Sequence, residues 1–196
     1  MEEIRTFIAV ELSDNVKQAL REAQKQLKNA PGASAVRWVA PENMHLTLKF
    51  LGNVSRTRID ELAGALTEAV VGTAPFVLTA EGLGCFPNIR RPNVVWVGLA
   101  GDVTRLVALA GRIEDALAGR GIAREDRPFS PHLTLGRVNH DAHPSDRAAL
   151  GDAIQKFPRA LYGTTPVAAV HLVQSDLTPS GSVYTILRTA QLRDQS

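Results

Sequence analysis

The tetrapeptide His-Leu-Thr-Leu occurs twice in this chain, beginning at His45 and at His132, 87 residues apart. At this chain's usage of those residue types, a matched pair arises by chance roughly once in 10⁵ chains of the same length. In an extended strand, side chains alternate between faces. His45 and Thr47 therefore share one face while Leu46 and Leu48 enter a core, and His132 and Thr134 repeat the arrangement. The surroundings repeat as well. Each copy is followed by loop, helix, strand, loop and strand; Trp96 follows His45 by 51 residues, and Tyr184 follows His132 by 52. The pattern implies an α+β fold of two pseudo-symmetric lobes, each a mostly antiparallel sheet with flanking helices, with an active cleft between them. The spacing is not the regular βαβ alternation of a doubly wound sheet.

Between the repeats, apolar periodicity marks the other elements. Residues 6–12 read as a strand. Ser13 reads as the N-cap of a helix carrying Val16, Leu20, Ala23 and Leu27, ended by Pro31-Gly32. Residues 36–39 form a short strand, and Gly52 closes the first His-Leu-Thr-Leu strand. Ser55 caps a helix with Ile59, Leu62, Leu66 and Val70 on one face. Strands at 76–83 and 94–99 flank a loop, and a third helix carries Leu106, Leu109, Ile113 and Leu117. A weaker helix covers 146–156. The last strands, 167–174 and 183–192, join at a turn containing Pro179, Ser180 and Gly181. Nothing reads as a flexible linker, so residues 1–196 are expected to form a single bilobal domain.

Composition narrows the partners. The chain is 44% hydrophobic and 21% charged with a net charge of only +2, which suits a packed globular protein and excludes a polybasic nucleic-acid coat. Phosphate recognition then has to be local. The lone Cys85 rules out an internal disulfide. No run is apolar enough to cross a bilayer, and the acidic start leading into a strand is unlike a signal peptide. A cytoplasmic monomer with no membrane partner is expected.

Two imidazoles facing one phosphodiester can divide its hydrolysis. One, neutral, takes a proton from water; the other, protonated, gives one to the leaving oxygen. Histidine suits both tasks because its pKa lies near neutrality. Thr47 and Thr134 can donate hydrogen bonds to phosphate oxygens. The scheme calls for no metal and no cofactor, and the motifs lack the carboxylate-rich shell of a two-metal phosphatase.

The segments 44–52 (Met-His-Leu-Thr-Leu-Lys-Phe-Leu-Gly) and 130–137 (Ser-Pro-His-Leu-Thr-Leu-Gly-Arg) resemble the paired His-x-Thr-x motifs of the 2H phosphoesterase superfamily. The chain is most similar there to the RNA 2′,3′-cyclic phosphodiesterases, also called 2′-5′ RNA ligases. The likeness extends to residues 5–10, to Arg37-Trp38-Val39, to Gly84-Cys85-Phe86-Pro87, and to Ser175-Asp176-Leu177 with Gly181 and Tyr184. The resemblance implies a bilobal fold and metal-independent opening of a terminal 2′,3′-cyclic phosphate on RNA or a nucleotide to a 2′-phosphomonoester. It also implies His45 as proton donor and His132 as proton acceptor, a division the near-identical motifs do not make themselves. Two other readings of the same pocket stand beside this one: a non-catalytic module that captures nucleotide or RNA ends, and 2′-5′ joining of RNA ends.

Other residues carry weaker signals. Arg137 has the wrong parity to share the face of His132 in a regular strand; a bulge would turn it to the phosphate, where the resemblance puts an arginine, and otherwise it faces solvent. Lys49 has the right parity to enter the cleft or to snorkel at its rim. Phe86 with Arg90 and Arg91 sits in a long loop that can meet a nucleotide by stacking and charge, or is simply solvated. Trp38 and Trp96 read as core or cleft wall, His171 as structural, and His140 with His143 as a solvated loop rather than a metal site.

Overall fold

The computed structural model describes residues 2–179 and 181–194. The elements are β1 (Glu3–Glu11), α1 (Asp14–Lys28), β2 (Val36–Trp38), β3 (His45–Ser55), α2 (Ile59–Val70), β4 (Phe76–Phe86), β5 (Val94–Gly101), α3 (Val103–Ala118), β6 (Leu133–Val138), α4 (Pro144–Lys156), β7 (Leu161–Val167), β8 (Ala169–Thr178) and β9 (Gly181–Gln191). The helices form where apolar residues recur every three to four positions. Val16, Leu20, Ala23 and Leu27 of α1, Leu62 and Leu66 of α2, and Leu106, Leu109, Ile113 and Leu117 of α3 are all buried. Each such side chain contributes roughly 1.5–3 kcal/mol on leaving water, except for the smaller alanine.

Two antiparallel sheets result, one ordered β3-β1-β8-β9 and the other β2-β6-β5-β4-β7. The order of elements repeats except that β7 intervenes between α4 and the last hairpin, and the lobes are not sequential halves. The hairpin β4–β5, which follows the first histidine strand, pairs with the second one, β6. The hairpin β8–β9, which follows the second, joins the sheet of β1 and β3. Each histidine strand thus shares its sheet with the hairpin of the other repeat. Periodicity marks strands but not their partners, so sequence does not reveal this exchange.

Several local expectations change. Ser13 occupies the N-cap position of α1, yet its side chain makes no cap; Ser13 Oγ donates to Thr164 O at 2.7 Å and lies 3.0 Å from Thr165 Oγ1. Ser55 precedes a short 3₁₀ turn, and α2 begins after Arg58. Gly52 does not close β3, which runs on to Ser55 with the glycine at a positive φ of 72°. Strand β7 is not legible in the sequence because Gly163 and Pro166 interrupt its pattern, which an edge strand tolerates. His143 is not simply solvated: its Nδ1 caps α4 by accepting from Ser145 N at 3.3 Å. Pro179 and Gly181 flank the β8–β9 connection, and Ser180 of that turn lies outside the described residues.

Candidate active site

Both histidine strands carry a bulge at the same place in the repeat. Along β1, Ala9 pairs with Thr47 and Ile8 with Lys49, so Leu48 is the extra residue. Along β5, Trp96 pairs with Thr134 and Val95 with Gly136, so Leu135 is extra. Leu48 and Leu135 are again 87 residues apart. A bulge reverses face parity beyond it, which decides two expectations in opposite ways. Lys49 does not enter the cleft. It turns to the core side beside Ile8, its side chain only 1% exposed, where Nζ pairs with Glu114 Oε1 and donates to Ala123 O, each at 2.8 Å. Arg137, by contrast, comes onto the face of Thr134 and Trp96 and is exposed, as the bulge argument required. Its counterpart in the first repeat, Phe50, comes onto the face of Thr47 and Phe7 and is 50% exposed.

The carbonyl freed at the second bulge extends the pairing of β2 with β6. Leu135 O accepts from Val39 N at 2.9 Å and from Gln24 Nε2 at 3.0 Å. Gln24, buried on α1, also donates to Val39 O at 2.8 Å. These bonds tie the segment leading into β3 to β6, and β3 and β6 are themselves in contact.

Both imidazoles are oriented by the same device. His45 Nδ1 lies 2.8 Å from Asn43 O, and His132 Nδ1 lies 2.8 Å from Ser130 O. A carbonyl only accepts, so each Nδ1 carries a proton and each neutral ring presents a bare Nε2. His45 opens β3, whereas His132 sits one residue before β6 rather than within it. Aromatic walls hold the rings. Phe7 stacks on His45 at 4.7 Å between centroids, and Tyr184 meets both rings edge-on at 5.1 Å. Phe86 meets His132 edge-on at 5.0 Å and leans on Trp96 at 5.1 Å. Trp96 is therefore cleft wall. It lies flat over Gly84, where a Cβ would come within 2.3 Å of the indole, so only glycine fits beneath it.

The two sites differ in environment. His45 is the more enclosed, and desolvation holds its pKa below the usual 6.5, against the stabilising carbonyl of Asn43 and with a smaller push from the Lys17 cation. Its Nε2 accepts from Thr47 Oγ1 at 3.0 Å. His132 Nε2 has no hydrogen-bond partner among the described residues. Arg90 and Arg91 stay exposed in the β4–β5 loop, where their backbone N–H groups bind Asn88 Oδ1 at 3.1 Å each. Among the described residues, no group of three or more His, Cys, Asp or Glu side chains is arranged to hold a metal ion.

Sequence reasoning missed Phe7, Phe50, Lys17 and His171 as neighbours of this face. His171 pairs with Ala9, whose other cross-strand partner is Thr47, so it lies on the face of Thr47 rather than in the core. It bonds Thr189 Oγ1 at 3.0 Å and stands 3.9 Å from Glu11 Oε2. Burial lowers its pKa too, opposed by Glu11. The alternation of residues 6–12 was the one signal available: Phe7, Ala9 and Glu11 share a face.

A pH dependence of stability follows. With His45 and His171 both below 6.5 when folded, the unfolded chain takes up protons first as pH falls. Their contribution is complete above 6.5 and declines below it, towards the folded pKa values. Denaturant midpoints measured from pH 7.5 down to 5.5 should fall, and His45→Gln with His171→Gln should flatten the decline. A midpoint that rises on acidification would contradict this.

The comparisons with known proteins agree with this architecture. A model for LigT-like phosphoesterases matches residues 10–96 and again 97–184, dividing the chain at the interval set by the two motifs. The chain belongs to that family. The RNA 2′,3′-cyclic phosphodiesterase of Archaeoglobus fulgidus is 36% identical over 187 residues, 94% of this chain and 98% of that protein. That of Thermotoga maritima is 36% identical over 189 residues, 96% and 95% of the two chains. A solved protein of Thermus thermophilus superposes with a TM-score of 0.79 at 30% identity, covering 98% of this chain and 100% of that one. Escherichia coli LigT complexed with 3′-AMP gives 0.77 at 26% identity, covering 97% and 99%. No helix among the described residues is long and apolar enough to cross a membrane.

Proposed function

We propose that this chain is an RNA 2′,3′-cyclic phosphodiesterase, acting as a single bilobal unit, monomeric and cytoplasmic, on RNA or nucleotide ends that carry a cyclic phosphate. The observation that carries the reading is the matched pair of Nδ1–carbonyl bonds, which fixes two imidazoles with Nε2 available for proton transfer. The relatives' names agree with it.

In the proposed reaction His132 Nε2 takes a proton from water as its oxygen attacks phosphorus. The P–O3′ bond breaks, and His45 Nε2–H gives its proton to O3′, leaving a 2′-phosphomonoester. Thr47, Thr134 and Arg137 hold the non-bridging oxygens, and the arginine offsets charge developing there. The split of roles sets a condition on His45. In the free protein its lowered pKa favours the neutral ring, with Nε2 occupied by the Thr47 hydroxyl. A desolvated imidazole gains most from a nearby anion, so an arriving phosphate charges His45 and releases the Thr47 hydroxyl to the substrate. The acid is armed by its substrate. Phe86 steadies His132, and Arg90 and Arg91 add positive potential at the loop; Lys49 has no part in the chemistry.

The test is to incubate a short RNA ending in a 2′,3′-cyclic phosphate with the protein in the presence of chelator and to identify the product. A 2′-phosphate is expected. A 3′-phosphate would reverse the orientation, and binding without turnover would leave only an end-capturing module.

A further inference from the structure

Strand β2 adds one more row to the catalytic face. Arg37 is the direct antiparallel partner of Arg137. Directly opposed residues project to the same side of a sheet. Arg137 itself lies on the face of Thr134 because of the bulge at Leu135. Trp38, the next residue, pairs with Gly136 and packs on the core side, as alternation requires. Arg37 and Arg137 are both exposed, and neither has an ion pair or side-chain hydrogen bond among the described residues. Other arginines of this chain are matched, such as Arg58 with Glu61, Arg120 with Glu68 and Arg188 with Asp60. Like charges directly opposite one another destabilise a sheet. An uncompensated pair beside two catalytic imidazoles is the arrangement an incoming polyanion would neutralise.

We infer that Arg37 binds a second phosphate of the substrate, the internucleotide phosphate immediately 5′ of the cyclic one, and so makes the protein selective for oligoribonucleotide ends over mononucleotides. This rests on the phosphodiesterase reading above. The two guanidiniums rise from strands about 4.8 Å apart, a spacing comparable to that of successive phosphates along a flexible single strand. Arg137 stands nearer the imidazoles in the strand order, on β6 itself, and Arg37 one strand outward at the sheet edge. The reacting phosphate takes the inner cation and the preceding phosphate takes the outer one. A nucleoside 2′,3′-cyclic phosphate has nothing to offer Arg37.

The experiment compares Arg37→Gln and Arg37→Lys with wild type on two substrates: uridine 2′,3′-cyclic phosphate and a uridine dinucleotide ending in the same group. Arg37→Gln should lower kcat/KM for the dinucleotide about tenfold, in line with the loss of one charge-assisted phosphate contact, and leave the mononucleotide within about twofold. The salt dependence for the dinucleotide should become shallower by about 0.7 in log–log slope, one single-strand phosphate contact. Arg37→Lys should recover much of the loss. Equal losses on both substrates would mean that Arg37 touches the reacting phosphate, and no loss on the dinucleotide would mean that it touches none; either overturns the inference. Affinities for the dinucleotide and the nucleoside 2′-phosphates, measured by titration, read the same contact without turnover. A wild type that hydrolyses neither substrate, yet loses dinucleotide affinity on Arg37→Gln, would sink the catalytic reading and keep the clamp.

Discussion

His132→Ala should lower kcat by about 10²–10⁴-fold, the usual worth of one positioned acid–base group, while leaving the fold intact. The ring is half-buried, and its hydrogen bond to Ser130 O involves a carbonyl that water can serve. His45→Ala should cost at least as much, and some stability too, because it opens a hole between the Phe7 and Tyr184 rings. The pH profiles separate the roles. Wild type should give a bell in kcat/KM. Removing the base at His132 should abolish its acidic limb, and removing the acid at His45 its alkaline limb. Losing the limbs in the opposite sense would exchange the roles; full activity in either variant would end the acid–base mechanism. Thr47→Ala or Thr134→Ala removes one hydrogen bond to the phosphate and should cost about tenfold.

Lys49→Met should destabilise the protein by roughly 2–4 kcal/mol, near the low end of what breaking a buried ion pair costs. The ammonium is almost wholly enclosed, but Glu114 retains 21% side-chain exposure and a second hydrogen bond, from Glu125 N at 2.8 Å, so it is not fully stranded. The Ala123 carbonyl loses its lysine donor. Removing both charges, as Lys49→Met with Glu114→Leu, should restore much of the loss. Urea midpoints at constant m-value report this. Turnover per folded molecule should be unchanged, because the ammonium points away from the cleft; a large fall in kcat without a change in midpoint would return Lys49 to the site.

The doubled motif makes much of this protein legible in its sequence. It carried the α+β class, the paired lobes, the histidine–threonine faces and the core leucines, because strand alternation and helical periodicity are local properties. Legibility ended where one residue changes a register. The parity that strand alternation gives Lys49 at +4 and Arg137 at +5 from their histidines is reset at Leu48 and Leu135. The bulge brings Arg137 onto the face of Thr134 and carries Lys49 away from both the cleft and its rim. Strand partners were equally hidden. The neighbours of His45 include Phe7 from β1, Tyr184 from β9 and Lys17 from α1, a meeting that depends on long-range pairing. The roles of Ser13 and His143 turned on local geometry, since a hydroxyl or imidazole at a helix start has competing partners.

The exchange of hairpins between sheets has a consequence for motion. Neither half of the chain owns a complete sheet, so neither can melt or swing while the other stays whole. Unfolding either half must remove strands from both sheets. The interleaving favours all-or-none unfolding over the melting of one half before the other.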